Sequence, residues 1–201
     1  IAGNSFVELT EWQVVDQWSW HALILPQMEQ STVNINFRET KGSTNNLEAA
    51  QVAIEGYNCP SAVLPGARPG RLGYGIYRGS MGVSGTDGMM YENSSVTQRD
   101  VADGTSNTFL LGDSMFGFWS DGLSCCARFS SDRATFDSFW EVTDADSNQI
   151  LRFFGFGSWH DSVVQMARVD GSVKSYDKNM DSAVVYALST RNGNERIMED
   201  P

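Results

Sequence analysis

The sequence predicts an α+β fold with a mainly antiparallel β-sheet, short helices and long Gly-rich loops. Two observations support this prediction. Read as a strand, 163–169 would place Val164 and Met166 on one face, and Asp170-Gly171 follows as a two-residue turn of the kind that joins antiparallel strands. The chain also contains 19 glycines, which favour turns over long helices. We therefore expect 163–169 and 172–176 to form a β-hairpin.

The N-terminal part of the chain predicts two short helices. Apolar side chains recur at helical spacing over 20–30, and Ser19 is a suitable N-cap. Pro26 should kink or split this helix because proline cannot donate the next backbone hydrogen bond. A second helix is expected over 45–53. Two earlier segments could each be a short strand, namely 6–9 and 12–15.

The segment from Asp103 to Asp113 predicts a turn followed by a buried strand. Asp103-Gly104 suit a tight turn, and Ser106 and Asn107 can bond the local backbone. A phosphate or cation loop is the functional alternative, but a turn that positions a core strand is sufficient to explain the pattern. Further strands are expected over 74–82 and 136–142, an irregular loop over 117–133, and a helix over 181–190.

Chain length, net charge and the length of the apolar stretches limit the classes of protein to which this chain can belong. The 201 residues favour one domain, residues 1–201. The net charge of -11 argues against nucleic acid as a partner, because a nucleic-acid-binding surface is basic. It also argues against adsorption to anionic lipid. No stretch reaches the ~18 continuous apolar residues of a membrane helix.

One acidic segment resembles the opening of a calcium-binding loop, with Asp144, Asp146 and Asn148 as its oxygen ligands. It is not an EF-hand, because Gln149 stands where that loop needs glycine and Gly155 where it needs glutamate. A solvated acidic turn is the expectation. If the protein binds any cofactor, we expect Ca2+ at these three residues.

The three cysteines, Cys59, Cys125 and Cys126, are the disulfide candidates. A bond between adjacent cysteines requires a strained ring and is rare, whereas a bond from Cys59 to Cys125 or Cys126 is possible. The odd count leaves one thiol over.

The sequence offers little support for an enzyme. It has two histidines, and neither belongs to a recognised catalytic motif. His21 is expected in the core. His160 precedes the predicted hairpin and would lie roughly 30 Å from Asp170 along an extended strand, which excludes a catalytic pair. We expect His160 to be structural and the protein to have no enzyme activity.

Several segments share the patterns of one known group of proteins. His160 is followed after nine residues by Asp170-Gly171, and further matches are W-S-W at 18–20, C-P-S at 59–61, D-G-T-S-N-T at 103–108 and A-L-x-T-R-x-G at 187–193. Together they resemble the prepilin-type H-x9-D-G family of pilin-like secreted proteins. Asp113 stands where that family has glutamate.

The resemblance implies a pilin-like head whose N-terminal anchor helix is missing here. A cysteine commonly follows that helix in the family, so loss of this partner would leave Cys59 as the orphan. It also implies that the motif residues are structural: His160, Asp170, Gly171, Asp103, Gly104, Ser106 and Asn107. The expected function is then a pilin-like or pseudopilin-like extracytoplasmic subunit, in the periplasm or at the cell surface. It would be membrane-anchored only through that helix, and its partners would be other pilin-like subunits or itself.

The alternative function is an extracellular binding module for a glycan or a solute on the same scaffold. Aromatic side chains such as Trp119, Tyr91 and Tyr77 would then be exposed and stack on a sugar.

Overall fold

The computed structural model describes residues 6–9, 12–130, 134–143 and 150–195. The chain forms two compact units. The first, which we call the N-terminal unit, comprises residues 1–76, 116–125 and 143–150. The second, the sheet unit, comprises residues 77–115, 126–142 and 151–201. The single domain expected from chain length stays a prediction.

The N-terminal unit contains β1 (Phe6–Leu9), β2 (Trp12–Val15), α1 (Trp20–Leu23) and α2 (Thr44–Ala50). The two strands pair antiparallel. Ser19 caps α1, and its side chain accepts a hydrogen bond from the backbone N–H of His21, as the sequence predicts. Pro26 splits the predicted helix: α1 ends before it, and Leu25–Met28 continue as a 3-10 helix.

A buried lysine lies in the N-terminal unit. The Lys41 Nζ donates to the backbone oxygens of Val15, at 2.5 Å, and Gln17, at 2.8 Å. Lys41 is 1% exposed, and burial lowers its pKa to about 8, although the charge of Asp121 opposes the shift. Asp121 is itself buried, which raises its pKa, and it accepts from the backbone N–H of Val15.

The sheet unit contains most of the strands and, among its described residues, one α-helix. They are β3 (Tyr77–Ser80), β4 (Phe109–Asp113), β5 (Cys126–Ala127), β6 (Phe139–Thr143), β7 (Ile150–Phe154), β8 (Val163–Arg168), β9 (Val173–Asp177) and α3 (Ser182–Ser189). Five strands form one sheet in the order β5-β3-β4-β8-β9, and β6 pairs with β7. In the five-stranded sheet, only β5 runs parallel to its neighbour. The predicted α+β class is confirmed.

The predicted hairpin forms the edge of this sheet. β8 and β9 pair antiparallel from Val163 opposite Asp177 to Ala167 opposite Val173. Val164 and Met166 of β8 are buried and the residues between and beside them are only partly buried, because side chains alternate between the faces of a strand. The buried face packs against α3 in one core cluster, whose members include Phe109, Val164, Met166, Tyr176, Val185 and Leu188.

The opposite face of the sheet carries a row of small and apolar residues. Gly79, Leu111, Ala167 and Val173 lie directly opposite one another on β3, β4, β8 and β9. Directly opposed residues share a face of the sheet. Met90 fills the space beside Gly79, whereas Val173 is 63% exposed. We call Leu111, Ala167 and Val173 the apolar row.

One glycine of β4 is required by its neighbour. Gly112 pairs with Met166, and a Cβ at Gly112 would lie 2.1 Å from the Met166 sulfur. Met166 is 0% exposed, so its side chain has little room to move.

Two strands were not predicted. β5 lies in a section where the sequence predicts an irregular loop. It was missed because a strand of two residues is too short to show a periodicity. β7 directly follows the acidic segment, and its residues Ile-Leu-Arg-Phe-Phe do not alternate. No helix among the described residues is long and apolar enough to cross a membrane.

Candidate functional site

The Asp103–Thr108 segment folds into a compact turn in the sheet unit. Gly104 has a φ of 96°, which glycine adopts without a steric penalty. The Gly104 carbonyl accepts from the backbone N–H of Asn107 at 2.9 Å and from the Thr108 hydroxyl at 3.2 Å. The Asn107 side chain donates to the Asp103 carbonyl at 3.2 Å. The segment is therefore held by local hydrogen bonds.

This turn contacts the end of the β8–β9 hairpin. The backbone N–H groups of Val169 and Asp170 each donate to it at 3.0 Å, to the carbonyls of Thr108 and Thr105. The Arg168 Nη1 donates to the Ser106 carbonyl at 2.6 Å. Two motifs that are more than 60 residues apart in the sequence therefore meet at one end of the sheet.

The chain after α3 joins the same cluster. The two carboxylate oxygens of Asp103 accept from the backbone N–H groups of Gly193 and Asn194, each at 2.8 Å. The Arg191 guanidinium donates to the carbonyls of Thr86 and Gly88, each at 2.6 Å. Asp103 thus holds the turn after α3 through two charge-assisted hydrogen bonds.

These three segments border a cavity of about 490 Å³, which we call the α3 cavity. Its size falls within the range of small-molecule sites. One wall is apolar and comes from α3 and the residue just before it, namely Met180, Val184, Ala187 and Leu188. The facing polar wall contains Asp103, Asn107, Arg168, Lys174 and Glu195, with Tyr176 beside them.

Arg168 is held in a fixed position in this wall. Its Nε donates to the Tyr176 hydroxyl at 2.6 Å, and its guanidinium lies 5.7 Å from the centre of the Tyr176 ring. Lys174, two residues before Tyr176 on β9, is exposed. Its ammonium group makes no hydrogen bond or ion pair with any residue that the structure describes.

A family model matches this chain over residues 3–183. That range contains the Asp103–Thr108 turn, the hairpin and the sheet unit up to the start of α3. The model is SBP_bac_10, whose description is protein of unknown function (DUF1559). The chain belongs to the DUF1559 family. Neither the curated proteins nor the solved structures include a significant match.

In this DUF1559 protein, His160 lies at the opposite end of β8 from Asp170. Its backbone N–H donates to the Ser158 hydroxyl at 3.1 Å. His160 also interacts electrostatically with the carboxylate of Asp113. Burial raises the pKa of Asp113, while a hydrogen bond from the Gln165 N–H and the charge of His160 oppose the shift. The structural role expected for His160 stays a prediction.

Asp170 and Gly171 form the hairpin turn and are exposed. The Asp170 carboxylate accepts from the hydroxyl and the backbone N–H of Ser172 at 2.6 and 2.9 Å, and these bonds lower its pKa. Gly171 has a φ of 85°. Both residues therefore shape the turn.

The calcium prediction lies outside the described residues, because Asp144, Asp146 and Asn148 are not among them. Across the described part of the chain, no group of three or more acidic, His or Cys side chains could hold a metal ion.

The cysteines differ from the expected pairing. Cys125 and Cys126 are disulfide-bonded, and Cys59 remains a thiol. With three cysteines in the chain, the bond joins the two neighbours. Cys59 therefore pairs with neither of them, which agrees with the alternative in which Cys59 is the orphan.

One of the aromatic residues proposed to stack on a sugar is not accessible. Trp119 is 0% exposed, and its indole N–H donates to the Val52 carbonyl at 2.9 Å. Tyr91 and Tyr77 are half-buried.

The sequence did not predict Lys174, Tyr176 and Glu195 at the α3 cavity. The spacing of Lys174 and Tyr176 could have indicated part of this site, because residues two apart on a strand share a face, here the face that α3 covers.

Proposed function

We propose that this DUF1559 protein is a non-enzymatic, pilin-like extracytoplasmic subunit in the periplasm or at the cell surface. In its full-length form it would be anchored in the membrane by an N-terminal apolar helix. It would assemble through that helix with other pilin-like subunits or with itself. The observation that carries the proposal is the apolar row on the sheet face opposite α3.

A sheet with an apolar surface on each face is stabilised by a layer on each side. α3 and the aromatic core supply one layer. On the other face, Leu111 and Ala167 are half-buried and Val173 is 63% exposed. Full burial of a valine side chain contributes roughly 1.5–3 kcal/mol relative to exposure. A helix with an apolar stripe would gain this contact by packing along the row.

The polar residues beside the row define its border. Gln165 and Ser175 lie opposite each other, and their side chains are hydrogen-bonded at 2.9 Å. An amphipathic helix would place its apolar stripe on Leu111, Ala167 and Val173 and its polar side near these two residues.

The experiment uses the full-length protein in membranes of its source cells, with a photo-crosslinking amino acid at Val173. We expect crosslinks to the N-terminal helix or to a second pilin-like subunit. The same substitution at Val63 is the matched control, because Val63 is 73% exposed but belongs to the N-terminal unit. Equal crosslinking at both positions, or a full-length protein that never enters the membrane fraction, would refute the proposal.

The second candidate function is a binding module for a small solute, and the α3 cavity is the observation that favours it. A fragment screen followed by NMR would test it. Hits should shift the backbone amide signals of Asp103–Thr108 and of α3. A screen whose hits all map elsewhere would remove this candidate.

A further inference from the structure

We infer that the α3 cavity binds a small aliphatic zwitterion of the α-amino acid class. The inference rests on the second candidate function above and names its ligand. It starts from the charged groups around the cavity. Arg168 and Lys174 supply two positive charges, and Asp103 and Glu195 supply two negative charges.

These opposite charges do not neutralise each other by direct contact. No ion pair joins any of the four within the residues that the structure describes. Asp103 is bonded instead to two backbone N–H groups, and a Glu195 carboxylate oxygen is 3.3 Å from the Thr190 hydroxyl. A ligand with both a carboxylate and an ammonium group is complementary to such a wall. A ligand with one charge would meet a repulsive pair as well as an attractive one.

The cationic side is suited to a carboxylate. The Arg168 Nε and Nη1 are used by Tyr176 and Ser106, which fix the guanidinium in place. Its Nη2 has no protein partner in the described chain and can donate to a ligand. Charge-assisted hydrogen bonds of this kind are stronger than neutral ones. Lys174 offers a second cationic donor on the same side of the sheet.

The apolar wall indicates which kind of side chain the amino acid ligand carries. Val184, Ala187 and Leu188 are spaced three and four residues apart on α3, so they share one face of the helix. Met180 extends this face. A branched aliphatic side chain would be buried there, while a further charge on the ligand would lose its hydration without a partner.

The test is calorimetric titration of the whole 201-residue chain with L-leucine. Two single-charge analogues are titrated in parallel: 4-methylpentanoate, which lacks the amine, and 3-methylbutylamine, which lacks the carboxylate. We expect leucine to bind at least tenfold more tightly than either analogue. If 4-methylpentanoate binds as tightly as leucine, the cavity is an organic-anion site and the zwitterion inference is wrong.

Two variants test whether leucine binds at the α3 cavity. Lys174→Met and Glu195→Gln should each weaken leucine binding at least fivefold. Arg38→Met and Glu48→Gln remove the same charges from exposed positions of the N-terminal unit and should leave it unchanged. If all four variants bind leucine equally, the ligand lies elsewhere and the inference is overturned.

The fragment screen separates the two possible failures. If leucine does not bind but fragments map to the α3 cavity, the ligand class is wrong and the binding function stands. If neither leucine nor fragments bind there, both are wrong.

Discussion

Single residues set how the stability of the N-terminal unit depends on pH. Lys41 has a pKa of about 8 in the folded chain, and its unfolded value is about 10.5. A lysine with a depressed pKa destabilises the fold below pH 8, where both states are protonated. Between these two values the unfolded state binds more protons, so the free energy of unfolding rises with pH by at most about 1.4 kcal/mol per unit.

We therefore expect chemical denaturation to show increasing stability from pH 8 to pH 10. Lys41→Arg keeps a positive charge that does not titrate in this range and should abolish the increase. Tyr57, whose pKa burial raises to about 12, opposes the trend above pH 10, where the unfolded tyrosine ionises first. Equal slopes in the wild type and Lys41→Arg would show that Lys41 is not the source.

Asp103 accepts two backbone hydrogen bonds from the chain after α3. Asp103→Asn should lower the free energy of unfolding by about 1–2 kcal/mol, because hydrogen bonds to a charged acceptor contribute more than neutral ones. Hydrogen exchange should speed up at Gly193 and Asn194. Asp161→Asn is the control, since Asp161 is exposed and its carboxylate makes no hydrogen bond in the described ranges. A loss of the same size in both variants would contradict this role.

At the scale of elements, the hairpin turn permits a test of backbone strain alone. A Cβ at Gly171 would meet nothing within 4 Å, yet its φ is 85°. Gly171→Ala should therefore destabilise the chain by about 1–2 kcal/mol, as expected for an L-residue in a left-handed conformation. Gly66→Ala is the matched control, because a Cβ there also meets nothing and φ is not positive. Thermal unfolding that does not distinguish the variants would exclude strain at Gly171.

Local patterns predicted those elements whose structure is determined locally. The β8–β9 hairpin follows from the division of its side chains between two faces and from its Asp-Gly turn. α3 lies within the helix predicted over 181–190, and Asp181 caps it by accepting from the Ala183 N–H at 2.8 Å. β5 could not be predicted in this way, because its pairing with Gly79 and Ser80 depends on chain that is more than 40 residues away. The same reason applies to the α3 cavity, whose walls come from three distant segments.

At the scale of the whole molecule, the net charge of -11 should govern self-association. Repulsion between copies opposes association at low salt, and added salt screens it over a Debye length of ≈ 10 Å at 0.1 M. We expect a monomer at low salt and weak dimers at high salt, measured by sedimentation velocity. Val173→Asp should abolish the dimers if the apolar row mediates them. A large oligomer that is insensitive to salt would contradict this prediction.

The contact between Gly112 and Met166 has a consequence for the evolution of this family. A mutation that adds a side chain at position 112 while Met166 is present would collide with the methionine. A shorter residue at position 166 would leave a void until position 112 gained volume. The two positions should therefore covary among DUF1559 sequences, with larger residues at one accompanying smaller residues at the other.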